Sequence, residues 1–297
     1  MAMANVEEFY DAVAKTYHRI YELGGSPSYK NGIGDYFRLQ IVLRLLAAAQ
    51  AKSVFEVGVG DGTPLKHMHL MGLKVAGCDI APKMVQYARK TLQAGGLGDP
   101  KILRADICNA VELAPAMMGE RSDALVALGV MPHVAKDALA LRNMRTLVRG
   151  SGKLLIEFRN ALFSLFTFNR YTHDFIVNEL LSNVSEETRN AVSRRVKEMV
   201  RMELPPIRDK APDGKAPGYD LIPAKFHNPF EIPSLLREAG FINPIFHWYH
   251  FHAGLPMLQD ELGDRFDTDS IAMEHELSNN WRGYFLCSAV LVEADAA

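Results

Sequence analysis

The sequence predicts an α/β protein with a mostly parallel sheet and helices on both faces, and three observations predict it. Val54, Phe55 and Val57 form a short apolar run that stops at Gly58, Gly60 and Gly62, with a helix-compatible stretch after Pro64. Such a run reads as a buried parallel strand, and the glycines as a turn in which missing side chains let the backbone approach a ligand. Val75-Ala76-Gly77-Cys78-Asp79-Ile80 is a second strand closing on an acid. Strand and helix patterns then alternate as far as Phe158, the signature of a parallel core.

Asp79 follows Gly62 by 17 positions, near the spacing at which an acid accepts hydrogen bonds from ribose hydroxyls. A carboxylate offers acceptors only, and both ribose hydroxyls are donors; the competing role for Asp79 is a helix N-cap. The glycine spacing separates cofactors. A dinucleotide fingerprint is G-x-G-x-x-G and seats a pyrophosphate on a helix N-terminus. Here the pattern is G-x-G-x-G and the acid Glu56 precedes it, which repels a pyrophosphate and suits a cation.

Glu56-Val57-Gly58-Val59-Gly60-Asp61-Gly62 resembles the first motif of the class I S-adenosylmethionine-dependent methyltransferases. The resemblance implies a Rossmann-like fold with a seven-stranded, mostly parallel sheet, helices on both faces and, in this chain, a largely helical insertion. S-adenosyl-L-methionine is the implied cofactor, with its ammonium and sulfonium. Glu56 would help orient the methionine end or, as the alternative, tie down the glycine loop as a buried acid.

Composition narrows the class. With 297 residues, 48% hydrophobic content, 33 basic and 35 acidic residues and mean hydropathy −0.05, the chain reads as one large α/β domain with insertions. The near-neutral charge argues against a broad nucleic-acid footprint. No apolar run reaches transmembrane length, and Met1–Tyr10 lacks a secretory apolar core. Cys78, Cys108 and Cys287 read as reduced thiols of a cytoplasmic protein.

In chain order, Val6–Tyr17 has helical spacing, and Tyr10-Asp11-x-x-Ala14-x-x-Tyr17 is similar to the N-terminal helix of many small-molecule methyltransferases. There an aromatic such as Tyr17 covers the cofactor; core packing of the tyrosines is the alternative. Ser26–Ser28 and Asn31–Gly34 read as a glycine-rich loop, followed by a helix from Asp35 to Gln50 with Phe37, Ile41, Leu45 and Ala48 inward. Arg38 falls in its first turn, where the helix dipole disfavours a cation. That makes it a candidate for the cofactor carboxylate, with a solvated arginine as the alternative.

Pro82 starts a helix carrying Met84, and Lys101–Ile107 is a third strand closing on Asp106. The resemblance puts Asp106 and Ile107 beside the adenine, and Ile80, Met84 and Leu128 against the cofactor. Asp123–Val130 is the fourth strand, and His133 follows it where the family's acceptor and methyl group meet. His133 is a candidate general base because imidazole titrates near neutral pH; walling the cofactor is its other reading. Lys136–Val148 reads as a helix stopped at Gly150-Ser151-Gly152, and Lys153–Phe158 as the fifth strand.

Residues 1–160 thus form N-terminal helices and a cofactor-binding core, 161–228 an inserted lid or interface, and 229–297 the completion of the sheet. Leu162–Tyr171 is unusually aromatic. Ser185–Glu203 is an amphipathic helix with Val192, Val196, Met199 and Val200 on one face, and Leu204–Pro223 is rich in proline and glycine. Such insertions serve as lids or binding loops, and a homodimer through this region is the alternative. Leu165–Tyr171 loosely resembles methyltransferases of sugar and surface-polysaccharide pathways.

Residues 228–241 read as the late helix before a sixth strand over Pro244–His252, and Tyr284–Glu293 as a seventh, antiparallel between fifth and sixth. His250 and His252 share a strand face. With His247 they read as pocket-lining groups, and with no cysteine pair or H-E-x-x-H motif no metal is expected. The sequence therefore predicts an S-adenosylmethionine-dependent methyltransferase acting on an oxygen or nitrogen of a small polar acceptor, a sugar or sugar-derived metabolite in one reading. His133, His250 and His252 are its catalytic candidates, and nucleic acid and membrane are not among its expected partners. A catalytically inactive cofactor-binding subunit and a nicotinamide oxidoreductase are the alternatives.

Overall fold

The computed structural model describes residues 6–14, 17, 33–211 and 217–297. Seven strands form one sheet: β1 (Ser53–Val57), β2 (Lys74–Asp79), β3 (Lys101–Arg104), β4 (Ser122–Ala127), β5 (Val148–Arg159), β6 (Phe241–Phe251) and β7 (Cys287–Ala296). Their order is β3-β2-β1-β4-β5-β7-β6. The first five pair in parallel, while β7 runs antiparallel between β5 and β6. This is the Rossmann-like class I methyltransferase fold. Val54, Val126, Leu155 and Leu291 are fully buried under one face of the sheet, and Leu125, Leu154, Ile156 and Val290 under the other. Two covered faces are why these strands are continuous apolar runs.

The order reverses at β1, so β1 and β4 diverge into their following loops and leave a crevice at their carboxyl ends. Open α/β sheets bind ligands there. The helix Thr63–Leu70 leaves the glycine turn with Pro64 in its first turn, and Pro82–Ala94 follows β2. Gly62 has φ +82°, and a Cβ on it would lie 2.8 Å from Ala88 Cα. Its role is close packing of these two helices.

Several boundaries differ from the sequence expectation. Gly150-Ser151-Gly152 lies within β5, where the register with β4 shifts between Ser122 and Ala124, instead of ending a helix. A Cβ on Gly152 would lie 2.7 Å from Asp123 O, so the glycine marks a bulge in a tightly packed strand. Ile33 and Gly34 begin the helix Ile33–Ala48; Ser26–Ser28 and Asn31-Gly32 lie outside the described residues. Arg38 is therefore in the second turn and buried, together with Ile41, Val42 and Leu46, whereas Ala48 is exposed. The seventh strand starts at Cys287, because Tyr284 belongs to the short helix Gly283–Leu286. A helix at Asp264–Glu276 packs against β6 and has no counterpart in the sequence expectation.

The insertion leaves β5 at Asn160 and returns at His227, and these two residues pair in an isolated bridge. Asn160, fully buried, donates to the carbonyls of Tyr284 and Cys287 at 2.8 Å each and accepts from Leu162 N. Its base is thus pinned to the sheet, and each buried amide group is satisfied. Beyond it, Ser164, Thr167, Asn169 and Thr172 form a buried network, with Asn169 capping the helix Arg170–Asp174. The helix Glu186–Met199 has no buried residue, and Met199 is 71% exposed. Of its expected apolar stripe, Val192, Val196 and Val200 are half-buried, and Met199 is left exposed.

Candidate active site

Two adjoining cavities open at the carboxyl ends of β1, β2, β4 and β5. The smaller, about 430 Å³, is lined by Gly58, Gly60, Asp79, Ile80, Asp106, Ile107 and Leu128. The larger, about 930 Å³, is lined by Arg38, Glu157, Arg159, His250 and His252, with much of the insertion as its far wall. Tyr10, Tyr17, Gly129 and His133 line both. The N-terminal helix and the loop after β4 therefore stand at the junction.

The smaller cavity is built by the glycine turn. Gly58 and Gly60 have φ of +72° and +53°, a region that side chains disfavour. A Cβ on Gly60 would lie 3.1 Å from the Tyr17 ring, so Tyr17 sits over the turn. Asp79 Oδ2 accepts from Gly60 N and Oδ1 from Ala81 N, both at 2.9 Å. One carboxylate thus couples the turn after β1 to the end of β2 and keeps lone pairs for a further donor. Burial raises its pKa to about 6 despite those two backbone donors. Asp106 Oδ1 accepts from Cys108 N at 2.8 Å, and Ile107 is buried beside it.

Not every sequence candidate lines this cavity. Met84 is buried among Ala14, Ala81 and Tyr17, behind the wall. Gly62 serves helix packing, as above. Glu56 is 1% exposed, its Oε2 has no hydrogen-bond partner among the described residues and burial pushes its pKa well up. Burial thus disfavours the ionised form of this carboxyl behind the glycine turn.

Arg38 reaches the larger cavity with two carboxylates already on its guanidinium: Glu157 at 2.5 Å and Asp35 at 2.8 Å. Glu157 also accepts from Gly129 N at 2.7 Å, fixing the loop after β4. The first-turn dipole misfit expected of Arg38 does not arise, because the helix begins at Ile33, and its charge is instead met by these acids. A signal for Glu157 existed in the sequence, as an acid inside the apolar run of β5.

His133 is oriented from both sides. Its Nδ1 lies 2.6 Å from Pro223 O, a group that only accepts, so Nδ1 carries the proton. Nε2 is then the acceptor, taking the Tyr10 hydroxyl at 2.9 Å. Burial lowers the pKa of His133 to about 4, so it is neutral at physiological pH. Tyr219 stands 3.5 Å from the same Nε2 and donor–acceptor pairs with Arg159 as well. No sequence spacing pairs Tyr10 or Tyr219 with His133, since both contacts span long stretches of chain.

His250 and His252 do meet, with ring centroids 4.8 Å apart. His250 departs from strand geometry at φ +61° and contacts Ser288 Oγ. A Cβ on Gly34 would lie 2.9 Å from its ring, so that glycine makes room for it. Burial lowers both histidines, His252 to about 4. His247 departs from the expectation: it lines neither cavity and pairs with Glu293 at 3.2 Å across β6 and β7. No cluster of three or more His, Cys, Asp or Glu suited to a metal occurs among the described residues.

Comparison with known proteins follows the same core. Residues 55–156 match the family model described as Methyltransferase domain. Among curated proteins, the ubiquinone biosynthesis O-methyltransferase of Chromobacterium violaceum is 27% identical over 144 residues, 48% of this chain and 60% of that protein. The enzyme of the same name from Cereibacter sphaeroides is 28% identical over 132 residues, 42% of this chain and 51% of the relative. The chain therefore spans little more than half the length of these relatives. Among solved structures, magnesium protoporphyrin IX methyltransferase from Synechocystis, with bound S-adenosylhomocysteine, superposes with TM-score 0.54 at 15% identity over 98% of both chains. A SAM-dependent methyltransferase from Thermotoga maritima gives 0.52 at 14% identity, over 99% of this chain and 100% of that one. At such identities these two neighbours share the fold.

Proposed function

We propose that this chain is a class I S-adenosylmethionine-dependent methyltransferase that moves a methyl group to an oxygen or nitrogen of a small polar acceptor held in the larger cavity. The observation that carries this reading is the junction of two cavities at His133, Tyr10 and Gly129. One cavity has the size and the Asp79, Asp106 and glycine-turn lining that suit an adenosine. The other is walled by the insertion and carries the polar groups an acceptor needs.

The residues fit the cofactor on structural grounds. Gly58 and Gly60 present bare backbone, Asp79 has spare acceptor capacity for ribose hydroxyls, and Asp106 and Ile107 border the adenine region. Bound there, S-adenosylmethionine supplies an electrophilic methyl carbon on a sulfonium. The protein's own work is alignment and exclusion of water at the junction. Neutral His133, with Nδ1–H fixed on Pro223, points its acceptor nitrogen to the place where an acceptor hydroxyl would give up its proton. Tyr10 occupies that nitrogen meanwhile.

A sugar-derived acceptor is a finer reading, supported by aromatic faces at Tyr171 and Phe226. No helix among the described residues is long and apolar enough to cross a membrane. The three cysteines are free thiols, which fits a reducing compartment such as the cytoplasm. A thermal-shift scan against S-adenosylhomocysteine and NAD tests the reading. Stabilisation by the first alone is expected, by mass action on the folded state. Stabilisation by NAD alone would replace the reading with the oxidoreductase one.

A further inference from the structure

We propose that Arg159 is an anion subsite of the acceptor cavity, so that the acceptor carries a carboxylate close to the group that is methylated. This rests on the methyltransferase reading and adds the acceptor's chemistry. Three arginines line the larger cavity: Arg38, Arg159 and Arg208. Arg38 is matched by Glu157 and Asp35. Arg208 is matched by Asp220, with Nη2 at 3.1 Å from Oδ1 and Nε at 3.3 Å from Oδ2. Among the described residues Arg159 has no carboxylate within ion-pair distance. Its guanidinium donates to the Tyr219 hydroxyl and lies 5.0 Å from the Tyr219 ring centre and 5.8 Å from that of Phe226.

That arrangement holds the guanidinium in place without neutralising it. Aromatic faces fix its plane, while its remaining N–H donors suit a planar, bidentate carboxylate. The two carboxylates on the cavity wall, Glu157 and Asp35, are both held by Arg38, and Glu157 also accepts from Gly129 N. An anion entering the cavity would therefore settle at Arg159. The position also bears on the reaction. The one Tyr219 oxygen contacts both Arg159 and, at 3.5 Å, His133 Nε2. A carboxylate on Arg159 thus lies within a few bonds of a hydroxyl at His133, as on adjacent positions of one ring. An aromatic hydroxy acid and a sugar acid share this chemistry.

Equilibrium binding of two matched pairs, salicylate against phenol and glucuronate against glucose, separates the sources. Each is measured with and without saturating S-adenosylhomocysteine, on the wild type, Arg159→Gln and Arg159→Lys. In one pair the acid should bind at least about tenfold more tightly than its neutral partner, and the pair that shows it names the scaffold. Arg159→Gln should abolish that preference while S-adenosylhomocysteine affinity is unchanged, and Arg159→Lys should retain part of it. Acid and neutral probes binding alike, no acid binding at all, or a preference that survives Arg159→Gln would overturn the proposal. Failure of S-adenosylhomocysteine to bind would fall on the cofactor reading, and the measurements without it would still decide the subsite.

Discussion

The hydroxyl of Tyr10 donates to Nε2 of His133 at 2.9 Å, while the other ring nitrogen is fixed on Pro223 O at 2.6 Å. An N-terminal helix, the loop after β4 and the end of the insertion thus meet on one imidazole. If that nitrogen takes the acceptor's proton, His133→Ala should lower kcat by roughly a hundredfold with cofactor affinity unchanged. Only the neutral ring accepts a proton, and its pKa is lowered to about 4. Wild-type kcat should therefore stay level down through pH 6 and fall as pH drops through about 4. A limb near pH 6.5, or full activity in the alanine variant, would remove His133 from the reaction.

Glu157 supports the site through charge. It is 6% exposed and shares buried Arg38 with Asp35. Glu157→Ala removes the main counter-charge of a buried guanidinium and an acceptor for Gly129 N. Urea unfolding should show a loss of about 3 kcal/mol, in the range for breaking a buried pair. A loss under about 1 kcal/mol, the scale of an exposed pair, would mean that Asp35 alone holds the guanidinium.

Gly60 is constrained twice, by φ +53° and by the Tyr17 ring, 3.1 Å from where a Cβ would stand. Gly60→Val should keep its far-ultraviolet circular dichroism yet lose S-adenosylhomocysteine binding by at least about a hundredfold, because the side chain enters the ligand's space. Normal binding by this variant would reduce the turn to a structural role.

Much of this molecule could be read from local sequence. The apolar run before Gly58, the acid at Asp79 and the alternation through Phe158 report on neighbours a few residues away, and the sheet follows from them. His250 and His252 do share one cavity, but not by the expected strand alternation, since His250 has φ +61° and His252 lies beyond the end of β6. What escaped was long-range. Tyr10 on His133 spans 123 positions and Arg38 on Glu157 spans 119, and no spacing rule encodes either. Arg38 reads as a first-turn cation because the expected helix starts two residues late, and its hold by two acids could not be seen. Gly150–Gly152 looked like a helix stop because a glycine pair has the same composition in a turn and in a bulge. Gly34 reads as part of a loop, since nothing near it in sequence points to the ring of His250 that it makes room for.

Asp79 offers a pH test with a definite sign. Its carboxyl is raised to about 6 in the free protein, and ribose donors with a nearby sulfonium favour the ionised form. Binding should then release a proton below pH 6, and S-adenosylhomocysteine, which keeps the ribose donors, should bind more tightly as pH rises to about 6 and level off above it. Calorimetry in buffers of different ionisation enthalpy would detect the proton at pH 5.5. Affinity that is flat from pH 5 to 8 would show that Asp79 does not contact the ligand.

The most direct test is titration of S-adenosylhomocysteine into wild type and Asp79→Ala at pH 7.5, where the carboxylate is ionised. One site per chain is expected in the wild type. The variant should lose about 2–4 kcal/mol, or roughly 30- to 1,000-fold in Kd, the cost of removing charge-assisted hydrogen bonds in a buried site. Equal affinity in the two proteins, or no binding to the wild type, would contradict the assignment of the crevice between β1 and β4 to this cofactor.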